Sequence, residues 1–194
     1  MKFYQEITVI KNQEIGTYFI WSKLLTQIHL GLVSIQDEQE KSSIGASFPE
    51  YFMDKKFGIL GSKIRLFSQK EEDLIKFDSG KWLSRLNDYI HISAIRQVPQ
   101  KIDGYAIYNR YQPKVNKERL ARRYSSRHEI SYEDALSHYK DLGDKLIKHP
   151  FIKLKSLSSQ NEFCLWIKKT SAKEYVFEKF NTYGLSGIST TPEF

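Results

Sequence analysis

Four arginines lie within nine positions of the 194-residue sequence, in the stretch NKERLARRYSSRHEI at residues 116–130. They are Arg119, Arg122, Arg123 and Arg127, and His128 follows the last of them. At 3.6 residues per turn, positions i, i+3, i+4 and i+8 lie on one side of a helix. Guanidinium groups contact phosphates and guanine edges bidentately. The spacing therefore predicts a helix that presents an arginine-rich face to an anionic partner.

The charges along this predicted helix are almost all positive. Glu118 is the only carboxylate between Lys114 and His128, whereas a solvated helix face usually mixes signs. Leu120 and Tyr124 form an adjoining stripe that can dock on a core. We expect contact with nucleic acid; an acidic protein or a membrane surface are the alternatives.

His29 is a candidate for proton transfer. It lies on a helix predicted from apolar residues that repeat on one face: Trp21, Leu24, Leu25, Ile28 and Leu32. The imidazole falls at the margin of this stripe, and a half-buried imidazole can titrate near neutral pH. The alternative is a structural histidine bonded to a backbone carbonyl.

Hydroxyl and aromatic side chains near the C-terminus are further candidates, each with a structural alternative. Ser156 and Ser158 end a predicted strand, where hydroxyls commonly cap turns. Phe163 opens the next strand, and core packing is its default role. Tyr183 precedes two glycines in TYGLSG, which either bring backbone close to a ligand or make a turn.

The composition and the histidine and cysteine positions restrict the kinds of partner, cofactor and cellular compartment that we expect. A formal net charge of +7 and a pI near 9.3 suit an anionic partner without distinguishing RNA, DNA or lipid. Because the histidines lack metal-ligand spacing and no phosphate-binding loop is present, we expect neither a metal nor a small-molecule cofactor. The single cysteine, Cys164, fits a reducing cytoplasm, and no apolar stretch approaches membrane-spanning length. A cytoplasmic protein with no membrane contact is expected.

The first half of the chain has the pattern of a ferredoxin-like domain. KFYQEITVI is a predicted strand, the helix with His29 follows, and SIGASF and KIRLFS are two further strands. Ser68 and Glu71 form a capping-box pattern that opens a second helix, and YIHISAI, residues 89–95, is a fourth strand. This β-α-β-β-α-β order predicts helices on one face of an antiparallel sheet, in a domain of residues 1–97.

Residues 98–194 are predicted to form a second domain, of mixed α/β structure, with positive charge gathered on its first helix. YAIYNRYQ is an extended segment before the arginine-rich helix, and Ser131 with Asp134 begins a capped helix that runs to Pro150. FIKLKS and FCLWIKK flank a polar loop as a hairpin, and EYVFEKF predicts one more strand. The predicted class is α+β.

Five stretches, in order, resemble the type I-F CRISPR repeat-processing endoribonuclease family. They are IHLGLV, SFP, NRYQ leading into the arginine-rich helix, SLSSQNEF and YGLSG, and they span almost the whole chain. The resemblance implies an enzyme that binds the hairpin of the CRISPR repeat and cuts at the base of its stem. The cut needs no metal and leaves a 2′,3′-cyclic phosphate. The resemblance further implies that the protein stays on the product with other subunits of a type I-F surveillance complex.

The resemblance also implies that residues 98–194 form the RNA-binding domain, and it implies roles for individual residues. His29 matches the catalytic histidine, Ser156 the serine that holds the attacking ribose, and Tyr183 the tyrosine that steadies the site. The residues expected to contact RNA are Arg110 and Gln112 as base readers, Arg122, Arg123 and Arg127 in the major groove, Phe163 against the terminal base pair, and Lys114, Arg119, His128 and Ser158.

The chain departs from the family pattern in two places. Ala121 and Ser126 stand where richer members carry further arginines, and a glycine-rich loop is reduced to Gly184 and Gly187. A non-catalytic RNA-hairpin binder, with a structural His29, is the first alternative. A protein that binds RNA on its sheet face is the second, although KIRLFS lacks the aromatic signature of such domains.

Overall fold

The structure, a computed structural model, describes residues 1–113, 117–140 and 147–194. Its elements, in chain order, are β1 (Phe3–Val9), α1 (Thr17–Ser34), β2 (Gly45–Ser47), β3 (Phe52–Met53), β4 (Gly58–Ile59), β5 (Lys63–Ser68), α2 (Glu71–Phe77), α3 (Ser79–Leu83), β6 (Ile90–Ile92), β7 (Arg96–Gln97), β8 (Gly104–Tyr111), α4 (Lys117–His128), α5 (Tyr132–Ser137), β9 (Phe151–Lys155), β10 (Glu162–Ala172) and β11 (Thr191–Glu193). Among the described residues, no helix is both long and apolar enough to cross a membrane.

Helix α1 forms because apolar residues repeat along one side of it. The predicted stripe is confirmed, since Trp21, Leu24, Leu25, Ile28 and Leu32 are all buried. The helix packs against β1, α3 and β9. His29 and its neighbours at the margin of the stripe are half-buried, so α1 presents the imidazole at the edge of the core.

Two larger antiparallel sheets and one short hairpin make up the strands. The first sheet has the order β2-β5-β1-β6, with β7 also paired to β1. The second has the order β11-β8-β10-β9, in which β9 and β10 form the predicted hairpin. Strands β3 and β4 pair with each other. The predicted mixture of helices and sheets is confirmed.

The chain folds into two compact units. The first contains Met1–Tyr111 and His149–Phe194, with all three sheets, and the second contains Gln112–Lys148, with α4 and α5. The predicted division into domains at residue 97 stays a prediction. Within the second unit, α4 packs on α5, and Ala121 is fully buried.

Helix capping agrees with the sequence at one site and differs at another. Ser131 caps α5 as predicted, because its hydroxyl accepts from the backbone N–H of Asp134 at 3.0 Å. Helix α5 ends at Ser137, and residues 141–146 of the longer predicted helix lie outside the described residues. The predicted capping box at Ser68 is wrong, since the Ser68 hydroxyl donates to the carboxylate of Asp73 at 2.5 Å.

The strand predicted in EYVFEKF does not form. The backbone N–H groups of Val176 and Glu178 donate to the hydroxyls of Thr190 and Ser189, both at 2.9 Å, instead of to a neighbouring strand. Features that were not predicted include helix α3, the β3–β4 hairpin and the short strand β11. The fourth strand predicted at residues 89–95 is present as β6, and β7 follows it.

Candidate functional site

His29 faces the loop that precedes the C-terminus. Its Nδ1 lies 3.0 Å from the carbonyl oxygen of Thr182. Because a carbonyl oxygen can only accept, Nδ1 carries the hydrogen, and Nε2 of the neutral ring keeps its lone pair. Within the part of the chain that the structure describes, Nε2 has no hydrogen-bond partner. Nε2 is therefore the atom of His29 that can take up a proton.

Tyr183 covers one face of the His29 ring. The two ring centroids are 4.1 Å apart and the ring planes differ by 5°. Burial raises the pKa of the Tyr183 phenol, and the positive charge of Arg110 acts in the opposite direction. A phenol with a raised pKa stays protonated at neutral pH. Tyr183 can therefore hold the imidazole in place but is no base.

Asn181, which the sequence reasoning missed, shapes the loop that carries Tyr183. Its side-chain oxygen accepts from the backbone N–H of Tyr183 at 2.8 Å and from that of Leu185 at 3.1 Å. Asparagine side chains commonly bond backbone two residues further on. The sequence feature that could have identified this role is an asparagine two positions before a tyrosine-glycine pair.

Gly184 makes the predicted turn, and it also lies close to strand β2, which was not predicted. Its φ of +71° lies in the left-handed region, and its carbonyl accepts from the N–H of Ala46 at 2.7 Å. A Cβ added at Gly184 would lie 2.8 Å from the Cβ of Ala46. Residue 184 is thus held against β2, and Tyr183 with it.

Ser156 is the first residue after β9, the strand that packs against α1. Its hydroxyl oxygen accepts from the N–H of Ser159 at 3.2 Å and lies 3.2 Å from the hydroxyl of Ser158. These bonds are those of the predicted turn cap. They also fix the hydroxyl of a half-buried serine at the end of a strand next to α1.

Arg110 and Phe163 meet on neighbouring strands of the second sheet. The guanidinium carbon of the exposed Arg110 lies 5.5 Å from the centroid of the Phe163 ring. Phe163 is half-buried and packs against the core, as expected by default. A planar cation over an aromatic ring forms a surface suited to the face and edge of a base pair.

The predicted arginine-rich helix is α4. Its exposed residues include Arg119, Arg122, Arg123, Arg127 and His128. On another side, the Tyr124 ring stacks on His138 of the second unit, with centroids 4.9 Å apart and planes 13° apart. The helix is therefore held by one side while the arginines are exposed. Lys114, and the helix start predicted at Asn116, lie outside the described residues.

The predicted site residues are distributed over both compact units. In the first unit the structure joins His29 to Tyr183 and Arg110 to Phe163, and it places Ser156 directly after β9, the strand that packs against α1. Gln112 is exposed and begins the second unit, which also contains the arginine-rich helix.

Proteins similar to the chain are CRISPR-associated. A family model described as CRISPR-associated protein (Cas_Csy4) matches residues 4–194. Proteins named CRISPR-associated endonuclease Cas6/Csy4 from Escherichia coli (strain UTI89 / UPEC) and Pseudomonas aeruginosa (strain UCBPP-PA14) are each 30% identical, over 100% of both chains. Among solved structures, an RAMP protein binding different RNA substrates has a TM-score of 0.38 at 14% identity, covering 98% of this chain and 99% of that one. The structure of a CRISPR associated protein Cas6 has a TM-score of 0.39 at 11% identity, covering 99% and 98%.

Proposed function

The chain belongs to the Cas_Csy4 family of CRISPR-associated proteins, and from this premise we propose that it is an endoribonuclease that binds and cuts the repeat hairpin of CRISPR transcripts. The observation that carries the proposal is His29, held by Thr182 and Tyr183 with Nε2 available as a base. Relatives named endonucleases, identical at 30% of positions over the full length, support the same activity.

RNA carries its own nucleophile, so the site needs few groups. His29 Nε2 takes the proton of the ribose 2′-hydroxyl, whose oxygen attacks the adjacent phosphorus. The bond between the 2′-oxygen and phosphorus forms, and the bond from phosphorus to the 5′-oxygen breaks. The products are a 2′,3′-cyclic phosphate and a 5′-hydroxyl, whose proton comes from water. Ser156 orients the ribose, and Tyr183 keeps the imidazole in position.

The second unit, together with Arg110 and Phe163 of the first, supplies binding energy rather than chemistry. The exposed arginines of α4 neutralise phosphates along the stem, and they enter the major groove near the hairpin end, where an A-form groove opens. Arg110 and Gln112 read base edges at the foot of the stem, and Phe163 stacks on the terminal pair. After the cut the protein stays on the hairpin, among other subunits of a type I-F complex.

The scaffold proposed for the N-terminal part is ferredoxin-like. The antiparallel order β6-β1-β5-β2, with α1 between β1 and β2 in the chain and α2 between β5 and β6, supports this arrangement. It places a helix directly after the first strand, and this helix carries His29.

A non-catalytic hairpin binder is the second candidate function. A specific observation favours it, because a bond from His29 to the Thr182 carbonyl is also what a structural histidine would show. On this alternative the arginine-rich helix binds the hairpin as before, but no bond in the RNA is broken.

One experiment tests the proposed activity against this alternative. The protein is incubated in EDTA with end-labelled repeat RNA and with the same RNA carrying a 2′-deoxy nucleotide before the cut. We expect a single cut at the base of the stem, a cyclic phosphate on the upstream product, and no cut in the deoxy RNA. Binding without any cut would identify the non-catalytic protein, and a cut deoxy RNA would exclude attack by the 2′-hydroxyl.

A further inference from the structure

Exposed aromatic side chains are concentrated at the start of α1 and in the β3–β4 hairpin. On α1, Tyr18 is 76% exposed and Phe19 is 57% exposed; in the hairpin, Phe52 and Phe57 are each 54% exposed. Single exposed apolar side chains are common, but a concentration of large ones marks a contact surface. We call these four rings the aromatic surface.

Hydrogen bonds bring the two parts of the aromatic surface into one region of the first unit. Trp21, one helical turn after Tyr18, donates from Nε1 to the carbonyl of Gly61 at 3.0 Å, just beyond β4. Glu50, just before β3, accepts from the N–H and the hydroxyl of Ser62 at 2.6 and 2.9 Å. The start of α1 therefore lies next to the base of the hairpin.

Lysines accompany these rings. The Lys23 ammonium lies 5.2 Å from the centroid of Phe19, and Lys55 and Lys56 are exposed in the hairpin turn. The turn also contains Asp54, whose carboxylate accepts from the N–H of Lys55 at 2.6 Å. Rings that stack bases, combined with cations that hold phosphates, are how proteins bind single-stranded nucleic acid. The core of a protein–protein interface is depleted of lysine, so this composition favours RNA over a protein partner.

One ring of the aromatic surface, Tyr18, lies on the same helix as His29. Tyr18 and His29 are eleven residues apart, which is about three turns, so they lie on one edge of the helix and about 16 Å apart along it. Under the proposed function the cut phosphate lies at His29, and the RNA strand beyond the cut begins there. At about 3.4 Å per stacked nucleotide, that strand reaches Tyr18 within about five nucleotides.

We propose that the aromatic surface binds the single-stranded RNA on the 3′ side of the cut, by stacking its bases on Tyr18 and on the hairpin rings. The inference rests on the proposed function, because that function locates the cut phosphate. Cleavage separates this strand from the hairpin, so the contact exists in the substrate and is absent from the retained product. The aromatic surface therefore favours uncut repeat over cut hairpin.

The test compares RNAs that differ only in the length of the 3′ extension. Each carries a 2′-deoxy nucleotide before the cut, and the extension is either a single nucleotide or longer than the span to Tyr18. We expect wild type to bind the long RNA about tenfold more tightly than the short one, the scale of base stacking on an aromatic ring. Tyr18→Ala and Phe57→Ala should lose most of this gain, whereas Tyr18→Phe should keep it.

Two controls keep the result specific. Ile75, on α2, is 60% exposed, and Ile75→Ala should retain the full gain from the long extension. Unchanged affinity for the short RNA shows that each variant is folded. The inference is overturned if wild type binds both RNAs with equal affinity, or if a 5′ extension gives the increase in affinity instead. It is also overturned if both alanine variants keep the full increase in affinity. Failure of the proposed function has a different signature, since wild type would then leave the short, unmodified RNA uncut.

Discussion

The ring of Tyr183 stacks on the ring of His29, with centroids 4.1 Å apart and planes 5° apart. Together with the bond from Nδ1 to the Thr182 carbonyl, the stack fixes both the plane and the rotation of the imidazole. The direction in which Nε2 points is thus set by one loop, residues 181–185. Proton transfer depends on such positioning, because a misplacement of about 1 Å can cost about a hundredfold in rate.

Tyr183 variants test whether the stack or the hydroxyl matters. Tyr183→Phe preserves the ring, and the phenol, with its raised pKa, is protonated at neutral pH in the wild type. We therefore expect single-turnover cleavage by Tyr183→Phe within a few-fold of wild type. Tyr183→Leu removes the stack and should slow cleavage about tenfold or more, with hairpin affinity unchanged. Equal slowing in both variants would assign the effect to the hydroxyl.

Gly184 and Gly187 allow a matched comparison of how a glycine-to-alanine change alters the stability of the protein. Gly184→Ala forces a side chain into a left-handed φ of +71° and against Ala46, so we expect a loss of about 1–3 kcal/mol in the free energy of unfolding. Gly187→Ala meets no heavy atom within 4 Å and should be close to neutral. Urea denaturation measures both, and similar stability of the two variants would contradict the structural role of Gly184.

The sequence predicted the elements that have a strong local signal. The apolar stripe of α1 has helical period, the hairpin of β9 and β10 alternates around a polar loop, and the Ser131 cap lies immediately before its helix. Each of these patterns is a fixed period or spacing within one continuous stretch of the chain. For that reason a single stretch of sequence contains enough information to predict each of them.

What the sequence missed depends on distant contacts. EYVFEKF has a strand-like composition, but hydroxyls of Ser189 and Thr190 take its N–H groups. In the candidate site, the resemblance proposed both His29 and Tyr183, yet only the fold shows that their rings stack. Asn181 went unnoticed because its role is to hold a loop, and such a role depends on which residue the loop must position.

Variants of Arg110 test whether this side chain reads bases at the foot of the stem. A bidentate contact to a base edge discriminates by about 1–3 kcal/mol, so Arg110→Ala should bind hairpins with a changed pair at the foot of the stem nearly as well as the cognate hairpin. Arg110→Lys keeps the charge without the planar fork and should also lose discrimination while retaining more affinity. Competition binding with a panel of mutated hairpins measures the ranking. If Arg110→Ala ranks the mutated hairpins as wild type does, Arg110 does not read base edges.

Arg127 tests the electrostatic footprint. If this exposed side chain of α4 holds a phosphate, Arg127→Ala should flatten the slope of log affinity against log salt by about one unit. Lys76, exposed on α2 in the other compact unit, provides a control with the same change in net charge. Lys76→Ala should leave the slope unchanged. Equal slopes in wild type and Arg127→Ala would place Arg127 outside the footprint.

Variants of His29 test whether catalysis and RNA binding depend on different residues. The imidazole serves proton transfer, and the arginines of α4, in the other compact unit, serve affinity. His29→Ala should therefore slow single-turnover cleavage by about a hundredfold or more, the usual scale for losing a general base, with hairpin affinity within a few-fold of wild type. His91→Ala is the matched control, because His91 is exposed on β6, and it should cleave at the wild-type rate. EDTA should alter neither rate.

Cleavage by His29→Ala at the wild-type rate would exclude His29 as the base, and a parallel loss of binding and cleavage would make it a structural residue.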